Sequence, residues 1–171
     1  TNRFIFISDF EVKCIWKMSM PGEDFVPMEV EGSPRGLSTT STGQLVVTVW
    51  KDGAWYLNIY RTSDVKRLKR ISLPIEINDP HHAVQTSKGN FIVLYQTEEL
   101  KEEDGSRERR EVVMVGEMSI DGNIIRTLNP SSIKSFPSEW FHHHLAIDED
   151  DKIFIADLHG SQVFLLNSQL A

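Results

Sequence analysis

Three features of the sequence predict an all-β fold, a β-propeller of four-stranded antiparallel blades: a long internal repeat, short β-rich runs divided by hairpin signals, and no sustained helical spacing. The stretch Gly32-Ser33-Pro34-Arg35-Gly36-Leu37, followed by Thr42-Gly43-Gln44-Leu45-Val46-Val47, returns as Asn78-Asp79-Pro80-His81-His82-Ala83, followed by Lys88-Gly89-Asn90-Phe91-Ile92-Val93. Pro34 to Pro80 and Gly43 to Gly89 are both 46 positions apart. A third copy reads His142-His143-His144-Leu145-Ala146, then Asp151-Lys152-Ile153-Phe154-Ile155, and a partial fourth opens the chain at Phe4-Ile5-Phe6-Ile7-Ser8-Asp9. Strand content at a period of about 40–50 residues is the mark of propeller blades.

In order, the first two strands are read at Phe4 to Ser8 and Cys14 to Met18, both rich in β-branched and aromatic residues. The next repeat offers Gly36 to Thr40, Leu45 to Trp50, Trp55 to Tyr60 and Lys69 to Leu73, enough for a whole blade. Its successor offers Ala83 to Thr86, Phe91 to Gln96, Val112 to Met118 and Ile124 to Leu128. The last offers Leu145 to Ile147, Ile153 to Ala156 and Val163 to Leu166. Asp52-Gly53, Lys88-Gly89, Asp121-Gly122 and His159-Gly160 supply tight turns. Ser131 to Trp140, the best helical candidate, is interrupted by Pro137.

The chain therefore divides into a partial blade over 1–31, blades over 32–77 and 78–137, and a partial blade over 138–171. The opening repeat lacks an innermost strand and the closing one an outermost strand, so the two share their middle strands and cannot merge into one blade. The sequence reads as an arc of a larger, six-bladed ring, starting within a domain, or as a subunit whose ring is completed by further chain or a second copy; a closed four-bladed ring is the alternative. The charged segment 98–111, in the blade over 78–137, is read as a solvated hairpin extension between two outer strands, or as a partner-docking loop.

Composition narrows the function classes. No apolar run reaches the ~18 residues of a membrane helix, and no secretory signal opens the chain. Cys14, the only cysteine, cannot form an internal disulfide or a cysteine zinc site and is read as a packed side chain; a reducing, cytoplasmic setting is expected. The net charge of −7 opposes nucleic-acid binding, leaving Lys66-Arg67-Leu68-Lys69-Arg70 as the one patch for RNA.

Ile153-Phe154-Ile155-Ala156-Asp157, a polar turn, and Gln162-Val163-Phe164-Leu165-Leu166-Asn167, together with the Pro-x-Gly-Leu and glycine-plus-strand pattern, resemble the NHL-repeat family of β-propellers. Asp9 and Asp157 match the family's strand-end aspartate, while its following Asn-x-Arg is replaced by Phe10-Glu11-Val12-Lys13 and Leu158-His159-Gly160-Ser161. The resemblance implies a six-bladed ring with inner strands lining a channel, commonly a platform for protein or RNA and sometimes joined to ubiquitin-ligase modules. It also implies a minority of enzymes, such as the amidating lyase that holds zinc with channel histidines. Paraoxonase-like and gluconolactonase-like hydrolases share the architecture and use calcium.

Five histidines gather where inner strands begin: His81, His82, His142, His143 and His144. A shift of 62 positions aligns His81 with His143 and His82 with His144, and Arg35 takes the same place in the earlier repeat. Three readings follow: inter-blade hydrogen bonding, a polar peptide-binding face, or zinc held by His81 and His143 with a third ligand from elsewhere. Asp9 and Asp157 are read as turn caps, and Trp50, Trp55 and Trp140 as inter-blade core or as an aromatic anchor. There is no nucleophile elbow or phosphate-cradling loop, and the calcium ligands a hydrolase needs are scarce beyond Asn78, Asp79 and Glu139. The sequence is read as a non-catalytic, cofactor-free scaffold for a peptide or protein on the channel-mouth face, with Arg35, His81, His82, His143, His144 and Trp140 as the binding residues. The alternatives are a zinc- or calcium-dependent lyase or hydrolase, and RNA binding.

Overall fold

The computed structural model describes residues 4–20, 25–103, 106–129, 143–157 and 161–167, with only the backbone considered at 99–103, 106–108, 110–111 and 143. Among the described residues, fourteen strands form four antiparallel sheets. The first blade holds β1 (Phe4–Asp9), β2 (Cys14–Ser19) and β3 (Phe25–Glu29). The second runs β4 (Ser33–Thr39), β5 (Gln44–Lys51), β6 (Ala54–Arg61) and β7 (Arg67–Ser72) in simple order. The third likewise runs β8 (Asn78–Gln85), β9 (Phe91–Glu103), β10 (Ser106–Met118) and β11 (Ile124–Leu128). The fourth holds β12 (His143–Ile147), β13 (Ile153–Asp157) and β14 (Gln162–Leu166).

The blades pack face to face, and side-chain alternation along each second strand builds the cores between them. Leu45, Val47 and Val49 of β5 meet Ile15 and Met28 of the first blade. Val46, on the opposite face, joins Leu57, Ile59 and Ile71 against Phe91, Val93 and Tyr95 of β9. The alternate residues Ile92 and Leu94 turn the other way, to Ile153, Ile155 and Leu166. Second strands are buried on both faces, which is why Leu45–Val49 of β5, interrupted only by the buried Thr48, and Phe91–Tyr95 of β9 read as hydrophobic runs. Each fully buried aliphatic or aromatic side chain is worth about 1.5–3 kcal/mol. Exposed ion pairs contribute roughly 0–1 kcal/mol each, so these three cores hold the blades together.

The repeat is anchored by one turn, starting at Thr40, Thr86 and Asp148, and the same turn recurs outside that spacing at Ser119, between β10 and β11. In Thr40–Gln44, Thr86–Asn90, Ser119–Asn123 and Asp148–Lys152 the first residue's N–H donates to the fifth carbonyl, and the fourth N–H donates back to the first carbonyl. The fourth position is left-handed at Gly43, Gly89 and Gly122, the geometry of a type I turn closed by a glycine bulge. Asp151 takes that conformation in the last blade, at φ 60°, and its carboxylate accepts the Ser87 N–H at 2.7 Å and hydroxyl at 2.6 Å. The turn equivalences preserve the shifts of 46 and 62, so Arg35, His81 and His143 do occupy matching places.

The inner strands lie close together. A Cβ on Gly36 would sit 2.4 Å from the His81 carbonyl oxygen and 2.8 Å from the His82 Cα, so only glycine lets β4 approach β8. Ser8 Oγ donates to the Arg35 carbonyl at 2.6 Å, and Ser38 Oγ to that of Ala83 at 2.6 Å, tying consecutive blades near the axis.

The structure corrects the sequence reading at three places. β3 carries no alternating pattern and includes Pro27; proline is tolerated because β3 lies at the sheet edge, where no N–H is needed on the outer side. The segment 98–111 extends the two middle strands of its blade, β9 and β10, whose ladder continues from Glu111↔Glu98 to Ser106↔Glu103. And β8 begins at Asn78, so His81 and His82 lie inside the strand; proline and a bulge between Asn78 and His82 hide its start.

Candidate functional site

Bulges in β4, between Pro34 and Leu37, and in β8, between Asn78 and His82, interrupt their ladders at matching places. A bulge re-aims side chains out of the sheet's alternation, and these two aim Arg35 and Asp79 at each other. Arg35 Nη1 lies 2.7 Å from Asp79 Oδ1, and His81 Nε2 lies 3.6 Å from Asp79 Oδ2. Asp79 has φ 43°, a left-handed conformation that aspartate tolerates better than most residues. Equivalent positions on adjacent blades, Arg35 and His81, therefore converge on one carboxylate.

Around this pair opens a cavity of about 410 Å³, lined by Phe10, Arg35, Trp50, Trp55, Asn78, Asp79 and Gln96. The Asp52-Gly53 turn, with φ 51° and 81°, closes the β5–β6 hairpin and sets Trp50 directly opposite Trp55, ring centroids 5.0 Å apart. Trp55 is buried and Trp50 is 37% exposed. The Arg35 guanidinium carbon sits 5.1 Å from the Trp55 ring centroid and 5.4 Å from that of Phe10, within cation–π range of both. Phe10 is held by the turn after β1, where Asp9 Oδ1 accepts the Val12 N–H at 3.1 Å, so Asp9 is the turn cap the sequence suggested. Arg35 and Asp79 are each about a third exposed, so their ion pair fixes geometry more than it adds stability.

His82 does different work. Its Nδ1 accepts the Leu145 N–H of β12 at 3.1 Å, which leaves Nε2 protonated to donate to the Leu37 carbonyl of β4 at 2.7 Å. One imidazole thus ties three blades, and neither nitrogen faces the cavity. Burial holds its pKa below the ordinary 6.5, with its hydrogen bond to the Leu37 carbonyl opposing and the nearby His144, ring centroid 6.1 Å away, adding to the shift. His144 is exposed. His143 stands in β12 with only its backbone described, and Trp140 and His142 lie outside the described residues. Among the described residues no three His, Cys, Asp or Glu side chains gather closely enough to hold a metal ion. Cys14 is buried with a free thiol.

The basic run falls on β7, and two of its arginines are engaged. Glu31 takes Arg67 at 3.1 Å and Arg70 at 3.0 Å, with Lys51 at 3.1 Å. Hydrogen bonds from Arg67 and Lys51, more than charge alone, lower the Glu31 carboxyl to about 2. Arg70 also donates to Asn58 and lies over the Tyr56 ring.

The sequence singled out Arg35 and His81, which lie against the same carboxylate, and named Asp79 only as a scarce calcium ligand. It missed Phe10 and Gln96 altogether. The available signal was the Trp-x-Asp-Gly-x-Trp spacing, since a two-residue hairpin puts those tryptophans face to face.

No family model matches the sequence, and no curated protein is similar to it. Solved structures are similar in fold. One is hydrazine synthase from Kuenenia stuttgartiensis, 15% identical over 97% of this chain with a TM-score of 0.65. Another is a catalytically inactive histidine-to-alanine variant of virginiamycin B lyase from Staphylococcus aureus with quinupristin, 11% identical over 98% of this chain with a TM-score of 0.55. The fold is a β-propeller. The chain spans 49% of the length of the first and 64% of the second, so the likeness carries architecture alone. No helix among the described residues is long and apolar enough to cross a membrane.

Proposed function

We propose that this propeller is a recognition scaffold that binds a peptide or protein segment at the channel-mouth face, in the cavity built around Arg35 and Asp79. The observation that carries the reading is the arrangement of that cavity. Its aromatic walls come from two different blades, and its polar groups are fixed by bulges in rigid strands. A concave site with apolar walls and a few placed polar groups is the usual form of a ligand pocket. It needs no reacting group to discriminate. The NHL-like pattern from Ile153 to Asn167 supports the same reading, because that family's propellers commonly act as platforms.

The two alternatives have less behind them. A metal-dependent lyase or hydrolase would rest on His81 and His143, and His81 is turned to Asp79. RNA binding would rest on a basic run in which Arg67 and Arg70 already serve Glu31.

The test is a selection of displayed random peptides on the immobilised chain, followed by titration of the selected peptides by anisotropy. Arg35→Ala and Asp79→Ala should each change the affinity by about 30-fold or more, as truncation of a central residue of the site does, while circular dichroism stays that of the parent. Selected peptides that bind both variants as tightly as the parent would place recognition elsewhere.

A further inference from the structure

We propose, resting on that recognition reading, that the cavity takes a basic peptide, seating a lysine or arginine side chain against Trp50. The cavity already holds one such cation. The guanidinium of Arg35 is kept by the Phe10 and Trp55 rings and by the Asp79 carboxylate, so its surroundings demonstrably stabilise positive charge. With Arg35 neutralised by Asp79, the remaining lining residues are aromatic or amide and carry no charge. Of the aromatic walls, Phe10 and Trp50 are exposed, at 40% and 37%, and Phe10 already lies against the Arg35 guanidinium, which leaves Trp50 for an incoming group. A cation over a tryptophan face is attracted by the ring's quadrupole, the more so when it is desolvated, as a concave site allows.

Charge around the cavity selects the same class. Gln96 lines it on β9, and the extended arm of β9 and β10 starts two residues further on, at Glu98. Residues 98–111 hold seven acidic and four basic side chains, and the whole chain carries −7. An arm of that sign beside the cavity draws cationic segments toward it and repels anionic ones. An acidic peptide would have Arg35 as its partner, but the charge of that residue is already balanced by Asp79 at 2.7 Å. The peptide's remaining positive side chains would lie along the arm while one enters the cavity.

The experiment uses the intact chain and three fluorescein-labelled nonapeptides of identical glycine-serine spacing, carrying three arginines, three glutamates or three glutamines, read by anisotropy at two salt concentrations. The arginine peptide should bind at least 10-fold more tightly than the other two and weaken as salt rises. Trp50→Ala should cost about 10-fold and Trp50→Phe, which keeps a π face, much less. Replacing Glu99, Glu102 and Glu103 together by glutamine should slow association without changing the circular dichroism. If the glutamate or glutamine peptide binds as well as the arginine peptide and remains sensitive to Arg35→Ala, the basic class is wrong and the recognition reading stands. If the arginine peptide binds but is indifferent to Trp50→Ala and to Arg35→Ala, its attraction is non-specific and the proposal is overturned. If no selected or designed peptide responds to Arg35→Ala or Asp79→Ala, the recognition reading falls with it.

Discussion

His82 shows how one side chain is committed by its tautomer. Because Nδ1 must accept the Leu145 N–H, the imidazole is neutral in the folded protein, and a second proton would place two hydrogens face to face. Its folded pKa is therefore lowered while the unfolded value stays near 6.5, so the unfolded chain binds the extra proton first. The stabilisation is fully present above pH 6.5 and drains away as pH falls below that value. Thermal melts should lose stability between pH 7.5 and pH 5.5. In His82→Gln, which can donate and accept at the same span without titrating, that part of the loss should vanish. An unchanged pH slope in the variant would mean that another group sets it. Histidines repeated at one structural position drew attention as ligands, yet the sequence could not divide their roles. His81 and His82 are neighbours, and strand alternation sends one to the cavity rim and the other between blades.

The charged arm has a register that sets opposite charges across from one another. In the β9–β10 ladder Arg110 stands opposite Glu99, Glu108 opposite Lys101 and Arg107 opposite Glu102. Opposite charges directly across an antiparallel pair contribute about 0.2–1 kcal/mol each. Glu98 faces Glu111 in the register, and the neighbouring Arg109 reaches Glu98 at 3.2 Å. Exchanging Arg107 and Arg110 for glutamate should fray the arm, giving faster proteolysis near residues 104–105, with the melting temperature of the blades unchanged. Adding Glu99→Arg and Glu102→Arg should restore resistance. Failure of that rescue would count against cross-strand pairing as the cause. In the sequence this segment reads as polar and aperiodic, because apolar alternation is the signal for a half-buried strand and its register sets charged residues opposite one another instead.

Across the molecule, the fold was legible because propeller blades reuse the same parts. The turn that closes at Gly43 must close again at Gly89, and the second strand must be apolar on both faces, so period and composition survive even at 11–15% identity to proteins of the same architecture. The cavity was not legible for the opposite reason. Phe10, Arg35, Trp55 and Gln96 come from three blades and belong to no shared motif; only the packing of those blades brings them to one place. The two interior blades bury both faces. Among the described residues the first and last leave Ile5, Ile7 and Phe25, and Val163 and Leu165, exposed on the side turned away from the interior blades.

The bridge made by His82 also bears on how the molecule comes apart. Blades that touch only through side-chain cores can in principle open one at a time, each exchanging its amides on its own schedule. Here the Leu145 amide of one blade hangs on a ring rooted in a second and anchored to the carbonyl of a third. Its hydrogen should exchange with solvent only when all three inner strands loosen together. In His82→Ala the Leu145 amide should uncouple and exchange far sooner than the amides of Val93 and Val47.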